Sequence, residues 1–122
     1  MTRCPCGTGL AYAECCGPFH TGAAAPTAEA LMRSRFSAYA RGDAQYIRRT
    51  WHSRSRPRSL DLNDGIRWTL LEVGRTTGGG LLDAEGTVEF AAHYRDADGR
   101  GVTRELSHFT RESGEWRYTG PV

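Results

Sequence analysis

The chain contains no lysine: all 16 of its basic residues are arginine. That absence excludes Schiff-base chemistry on a lysine, lysine-bound pyridoxal phosphate and a P-loop lysine. No apolar run approaches the roughly 18 residues a membrane-spanning helix needs. The opening Met1-Thr2-Arg3-Cys4 lacks the apolar core of a secretory signal. The expected compartment is therefore the cytoplasm, with no membrane partner. No Walker A, G-x-G-x-x-G, H-E-x-x-H or G-x-S-x-G pattern occurs, and Gly78-Gly79-Gly80 alone is no phosphate loop. Acidic residues are missing over 44–60, where Arg48, Arg49, Arg54, Arg56 and Arg58 lie. What remains is a polar chain of 122 residues with formal net charge +2, long enough for one domain with a real core and a small appendage.

The chain has four cysteines, and all stand before residue 17, in Cys4-Pro5-Cys6-Gly7-Thr8-Gly9-Leu10-Ala11-Tyr12-Ala13-Glu14-Cys15-Cys16-Gly17. The spacing is C-x-C-x8-C-C. Four thiols so close in sequence can converge on one tetrahedral Zn²⁺. Gly7 and Gly9 tolerate the positive φ of a tight turn and free their N–H groups to face sulfur. A short helical turn over Leu10–Glu14 would return Cys15 and Cys16 to the metal. So small a segment has no core of its own, and the metal supplies its folding energy. The competing readings are disulfides, which a reducing cytosol disfavours, and a catalytic thiol, which a fully protein-ligated zinc excludes. The expected ligands are Cys4, Cys6, Cys15 and Cys16, with a structural Zn²⁺. Four thiolates and one Zn²⁺ would bring the formal +2 to about zero, so the net charge does not call for a polyanion partner.

This stretch resembles the SEC-C motif, the zinc-binding knuckle at the C-terminus of the SecA translocation ATPase and in many small bacterial proteins. The resemblance implies the same four ligands. Many such knuckles carry basic residues in their middle; Leu10–Glu14 carries none.

Residues 18–26 are small and turn-rich and read as a linker. Thr27 is placed to cap a helix with Glu29 in its first turn, and Leu31, Met32, Phe36, Tyr39 and Ala40 recur at helical spacing up to Gly42. Asp43 can cap a second helix carrying Tyr46, Ile47, Thr50 and Trp51 and ending near His52. Segment 53–65 is polar, with turn signals at Pro57 and Asn63-Asp64-Gly65. From Ile66 the period changes to two. Strands are expected over 66–73, 87–95, 102–111 and 115–119, with a flexible loop over 76–80, a hairpin loop over 96–101 and a tight turn at Ser113-Gly114. The order predicts an α+β fold with helices on one face of a curved antiparallel sheet.

Residues 31–52 (LMRSRFSAYARGDAQYIRRTWH) and 105–120 (ELSHFTRESGEWRYTG) make the chain similar, nearly end to end, to the YchJ-like family of small bacterial proteins. That resemblance implies a knuckle over 1–20 joined to an NTF2-like (cystatin-like) cone over 27–122, a pocket between helix and sheet, and homodimers through the sheet in some relatives. It brings no established activity.

The candidate pocket residues are Arg35, Trp51, His52, Glu72, Glu105 and His108. His52 suits a general acid or base at a pocket mouth, or simply the cap of a helix C-terminus. Arg33 or Arg35 must face the apolar side of the first helix. A buried arginine there calls for a carboxylate such as Glu72 or Glu105, or for an anionic ligand. Three functions follow. The preferred one is a zinc-holding module that binds a protein partner or small ligand. The second is a small-molecule isomerase, dehydratase or hydrolase using the pocket. The third, not favoured, is nucleic-acid or ribosome contact through Arg48–Arg58, a segment that also reads as a solvated loop.

Overall fold

The computed structural model describes residues 2–122. Its elements in chain order are a 3₁₀ turn (Tyr12–Glu14), α1 (Gly17–His20), α2 (Ala28–Arg41), α3 (Ala44–Arg49), β1 (Arg67–Gly78), β2 (Glu85–Asp96), β3 (Gly99–Glu112) and β4 (Glu115–Pro121). The four strands form one antiparallel meander in the order β1-β2-β3-β4. The fold is α+β, as the change of period predicts.

The long helix begins and ends where its caps dictate. The Thr27 hydroxyl accepts the Ala30 N–H at 3.0 Å, and Glu29 lies in the positive first turn. Gly42 closes the helix at φ 74°, a conformation a side chain would strain. Asp43 then caps α3 by accepting the Tyr46 N–H at 3.1 Å. Helix α3 is shorter than its pattern suggests. It stops at Arg49, and Trp51 instead forms a parallel bridge with Tyr118. His52 N–H donates to Tyr118 O at 2.8 Å and Tyr118 N–H to Thr50 O at 2.9 Å. The Trp51-His52 pair is thus an added rung on the β4 edge rather than a helix end. β4 offered unpaired main-chain groups there, and edge pairing satisfied them.

The core lies between α2 and the inner sheet face. Leu31, Met32 and Phe36 meet Leu71, Val88, Ala92, Phe109 and Trp116. Trp116 donates its indole N–H to Pro26 O at 3.2 Å, anchoring β4 below the entry to α2. Irregular register at Trp68/Leu70 and Val73/Thr76 in β1, and at His108/Phe109 in β3, adds the bends that curve the sheet.

Two expectations about loops are corrected. Residues 76–78 are strand, since Thr76, Thr77 and Gly78 pair with Val88, Thr87 and Gly86. The hairpin after β2 is a two-residue turn at Ala97-Asp98, because β3 already starts at Gly99. Glycine and turn residues at strand ends mark close backbone approach here, and not flexibility. Arg111 holds the β1–β2 connection in place by donating to Asp83 O at 2.8 Å and Leu81 O at 2.8 Å, with its guanidinium 4.4 Å from the Trp116 ring centroid. Ser113 (φ 54°) and Gly114 (φ 82°) make the expected tight turn, both in the left-handed region. Among the described residues no helix is long and apolar enough to cross a membrane.

Gly86 lies close against the backbone at the end of β1. A Cβ there would stand 2.4 Å from Gly79 N and 2.8 Å from Thr77 O, both backbone atoms that cannot step aside. Gly86→Ala should therefore lower the stability read from urea unfolding by about 1–3 kcal/mol. Gly114→Asn, at an open turn position where Asn tolerates the left-handed region, should change it by well under about 1 kcal/mol.

Candidate functional site

The N-terminal segment folds back on itself through main-chain bonds. Cys4 N–H reaches Leu10 O at 2.8 Å, Tyr12 N–H reaches Thr2 O at 2.9 Å, and Arg3 bridges Ala11. Gly7 and Gly9, both at φ 88°, turn the chain between Cys6 and Leu10. The 3₁₀ turn at Tyr12–Glu14 returns the chain, and Cys16 precedes α1 as its N-cap. Gly17 is required by crowding, since a Cβ there would lie 2.9 Å from Tyr12 O.

The result gathers Cys4, Cys6, Cys15 and Cys16 with every pair of Sγ atoms within 4.8 Å, three of the four residues buried. All four are free thiols, and Cys6 and Cys15 stand 3.6 Å apart, far beyond a disulfide bond. Four such sulfurs can hold a metal ion. The pairing of Cys16 with Cys6 holds the Cys6 thiol well below the ordinary thiol range and, helped by burial, pushes Cys16 up. Burial likewise raises Cys15. Two hydroxyls complete the surroundings, Thr8 Oγ1 at 3.1 Å from Cys15 Sγ and Ser37 Oγ at 3.2 Å from Cys4 Sγ.

Ser37 belongs to α2, and it is one of three α2 residues at four-residue spacing that hold the cysteine segment. Arg33 donates to Cys6 O at 3.0 Å, and the Arg41 guanidinium lies 3.8 Å from the Tyr12 ring centroid. His20 adds a second tie. Its Nε2 donates to Ser34 O at 2.8 Å, which leaves Nδ1 to accept the Tyr12 hydroxyl at 2.6 Å. Residues 18–22, part of the 18–26 stretch expected as linker, therefore belong to the packing, and Phe19 lies against the core.

The opposite side of α2 forms one wall of a cavity of about 300 Å³, closed by the inner sheet face and lined by Met32, Arg35, Tyr39, Trp51, Trp68, Phe90, Glu105 and Tyr118 among others. Arg35 is 3% exposed and has no carboxylate within ion-pair distance among the described residues. One terminal nitrogen donates to Ile47 O at 2.9 Å and Thr50 Oγ1 at 2.8 Å. The guanidinium lies 4.5 Å from the Tyr118 ring centroid and 5.0 Å from that of Trp51. Burial lowers its pKa to about 10, so it stays a cation at neutral pH. Glu105, half-buried, accepts the Tyr118 hydroxyl at 2.7 Å and the Ser107 hydroxyl on the same oxygen. Burial and the Glu105 charge push the Tyr118 phenol well above its usual range. The Trp51 indole N–H is buried with no acceptor among the described residues.

Of the six pocket candidates, Arg35, Trp51 and Glu105 line this cavity. The other three lie elsewhere. His52 is not among the lining residues, and its Nδ1 accepts the Arg54 N–H at 3.1 Å. Glu72 is on the outer face of the sheet, where its carboxylate meets His93 Nε2 at 2.6 Å. His108 also faces outward, between Thr119 Oγ1 at 2.7 Å and Glu85 at 3.3 Å. Strand parity separates them, since Ser107 and Phe109 face inward and His108 cannot. The carboxylate partner expected for a buried arginine is absent as well, main-chain and hydroxyl oxygens taking its place. In the basic segment, Arg48 donates to Pro57 O, Arg49 to Phe19 O and Arg56 to Trp51 O, so three of the five arginines hold main-chain carbonyls, and all but Arg48 are exposed.

Tyr39, Trp68 and Tyr118 were not among the candidates, nor were Ser37 and His20. Arg33-Ser37-Arg41 was a visible signal, a polar stripe at i, i+4, i+8 along the helix. The cavity aromatics carried no such signal, because a sheet aromatic reads as core until its neighbours are known.

A model of the YchJ middle NTF2-like domain matches residues 27–121, and one of the SEC-C motif matches residues 2–18. A UPF0225 protein of Streptomyces coelicolor is 53% identical over 116 residues, covering 94% of this chain and 90% of its own length. One from Corynebacterium glutamicum is 52% identical over 122 residues, covering 98% of this chain and 97% of its own. The solution structure of a SEC-C motif containing protein from Rhodopseudomonas palustris superposes with a TM-score of 0.85 at 32% identity, over 99% of this chain and 98% of that one. A crystal structure of a SEC-C motif containing protein from Psychrobacter arcticus gives 0.80 at 30% identity, over 98% and 81%. With a SEC-C cysteine segment packed on a YchJ-type NTF2-like domain, the chain belongs to the UPF0225 family.

Proposed function

We propose that this protein is a small-molecule-binding module whose cavity wall is braced by a structural zinc knuckle. The observation that carries the reading is the double use of α2. Arg33, Ser37 and Arg41 hold the cysteine segment, while Met32, Arg35 and Tyr39 face the cavity. A metal that orders the knuckle thereby fixes the helix that shapes the cavity.

The sulfur geometry favours zinc. A regular tetrahedron with metal–sulfur bonds of about 2.3 Å has sulfur–sulfur edges of about 3.8 Å. The Cys6–Cys15 separation of 3.6 Å, with all four sulfurs within 4.8 Å, suits that size. Protein would fill all four positions, leaving no open one for substrate or water, so the metal's contribution is to folding. In such a site Thr8 and Ser37 would turn their hydroxyls to donate to thiolate sulfur, spreading the negative charge.

Protein purified under reducing conditions should carry close to one equivalent of zinc by mass spectrometry of the metal. Stripping it with a chelator should lower the melting temperature by about 10 °C or more. A zinc-free protein of unchanged melting temperature would refute the bracing role. Ser37→Ala should weaken zinc retention about tenfold against a chromophoric chelator, because outer-shell donors tune ligand basicity.

The binding role is tested separately. A fragment screen by NMR, read at the indole N–H signals of Trp51 and Trp68, should give compounds that shift both together. A broad screen that moves neither would reject the cavity as a binding site.

A further inference from the structure

We propose that the cavity under α2 receives a small organic monoanion, its carboxylate seated on Arg35 and its apolar body against Trp68 and Phe90. This rests on the ligand-binding reading above and adds the class of ligand.

A buried cation needs compensation. Removing a guanidinium from water costs several kcal/mol unless an anion or a full set of acceptors replaces the water. Arg35 is 3% exposed, and no carboxylate among the described residues pairs with it. A guanidinium carries five N–H donors in a rigid planar fork. Only Nη1 finds acceptors, and both are neutral: Ile47 O and Thr50 Oγ1. Nε and Nη2 have no protein acceptor among the described residues, and neither is fully shut off from solvent. Those two nitrogens share one in-plane edge of the fork, whose parallel N–H bonds match the two oxygens of a carboxylate. The rings of Tyr118 and Trp51 hold the guanidinium by cation–π contact, which fixes its plane but supplies no anion.

Glu105 is the acid that lines the same cavity, and its geometry argues that it does not serve as the counter-ion. Its Oε2 is taken by two neutral donors, Tyr118 Oη and Ser107 Oγ, and no oxygen of it comes within ion-pair distance of Arg35. Tyr118 therefore separates the two charges, stacking on Arg35 and donating to Glu105. The cavity has a cationic end that is under-satisfied and an anionic point that is satisfied. An entering carboxylate is drawn to the first and repelled by the second, which gives the ligand a direction.

The rest of the lining sets the body of the ligand. Met32, Trp68, Phe90 and Ala92 are apolar or aromatic, and about 300 Å³ lies at the lower end of the range for ligand pockets. A compact, strongly hydrated ion such as phosphate gains nothing from those walls. A planar or short-chain carboxylate gains both the ion pair and the burial.

The test uses the full-length, metal-loaded protein and four probes of similar size: benzoate, benzamide, benzylammonium and inorganic phosphate. Binding is followed by calorimetry and by the indole N–H signals of Trp51 and Trp68. Benzoate should shift both signals saturably and bind at least about tenfold tighter than its neutral isostere benzamide. Arg35→Lys keeps the charge but loses the fork and should weaken benzoate about tenfold or more. Glu105→Gln leaves every Arg35 contact in place and should tighten benzoate several-fold by removing the repelling charge. Should Arg35→Lys not fold by circular dichroism, Glu105→Gln and the benzamide comparison decide the matter. Benzamide, benzylammonium or phosphate binding as tightly as benzoate overturns the proposal, as does weaker benzoate binding in Glu105→Gln. Benzoate leaving both indoles unmoved while other fragments shift them overturns only the anionic class. Silence of both indoles toward every fragment overturns the cavity reading as well.

Discussion

The structure depends on one helix being held from both sides. α2 lies between a cysteine segment with no core of its own and a sheet that offers it an apolar face. The two attachments differ in kind. Toward the sheet, Leu31, Met32 and Phe36 are buried by the hydrophobic effect, which is strong but indifferent to direction. Toward the knuckle, Arg33, Ser37 and Arg41 make directional contacts to Cys6 O, Cys4 Sγ and the Tyr12 ring. Apolar packing sets how close the helix lies to the sheet, and the polar stripe sets its rotation. With the rotation set, Arg35 has nowhere to go but inward.

That consequence is costly, and the fold mitigates it only in part. Arg35 is buried where a methionine or leucine would sit without electrostatic penalty. It is supported by the carbonyl of Ile47 at the end of α3, the Thr50 hydroxyl and two aromatic faces. Each supporting group depends on the same local event. α3 stops early, its last carbonyls are left without helical partners, and Thr50-Trp51-His52 turns to pair with β4. The short helix thus turns the Ile47 carbonyl and the Thr50 hydroxyl toward Arg35 and lays Trp51 beside Tyr118. Neutral acceptors and ring faces hold a guanidinium without discharging it, which is why the cavity keeps an electrostatic character that its mostly apolar lining would not suggest.

Much of this was legible beforehand. C-x-C-x8-C-C pointed to the gathering of the four thiols, because the spacing leaves them few places to be except together. Thr27, Gly42, Asp43 and Ser113-Gly114 marked element ends because caps and tight turns are local chemistry. The sites of error share a cause. Trp51-His52 looked helical by spacing, 76–80 looked loose by glycine content, and 18–26 looked like linker by small residues. In each case a partner distant in sequence settled the matter: Tyr118, Gly86 and Ser34.

The sequence by itself determined the class of each part: a cysteine-rich segment able to hold a metal, a capped amphipathic helix and a meander of alternating strands. Such features arise from short-range periodicity and backbone preference, and need only a few neighbouring residues to express them. Only the tertiary structure decided which charges are left unpaired. Whether Arg35 meets Glu72, Glu105 or neither depends on the face each strand turns inward and on how far α2 is rotated. Glu72 went to the outer face and Glu105 to Tyr118, and the guanidinium was left with a free edge in an aromatic cavity. A charge balance of that kind is a property of three-dimensional distance, which a linear pattern does not encode.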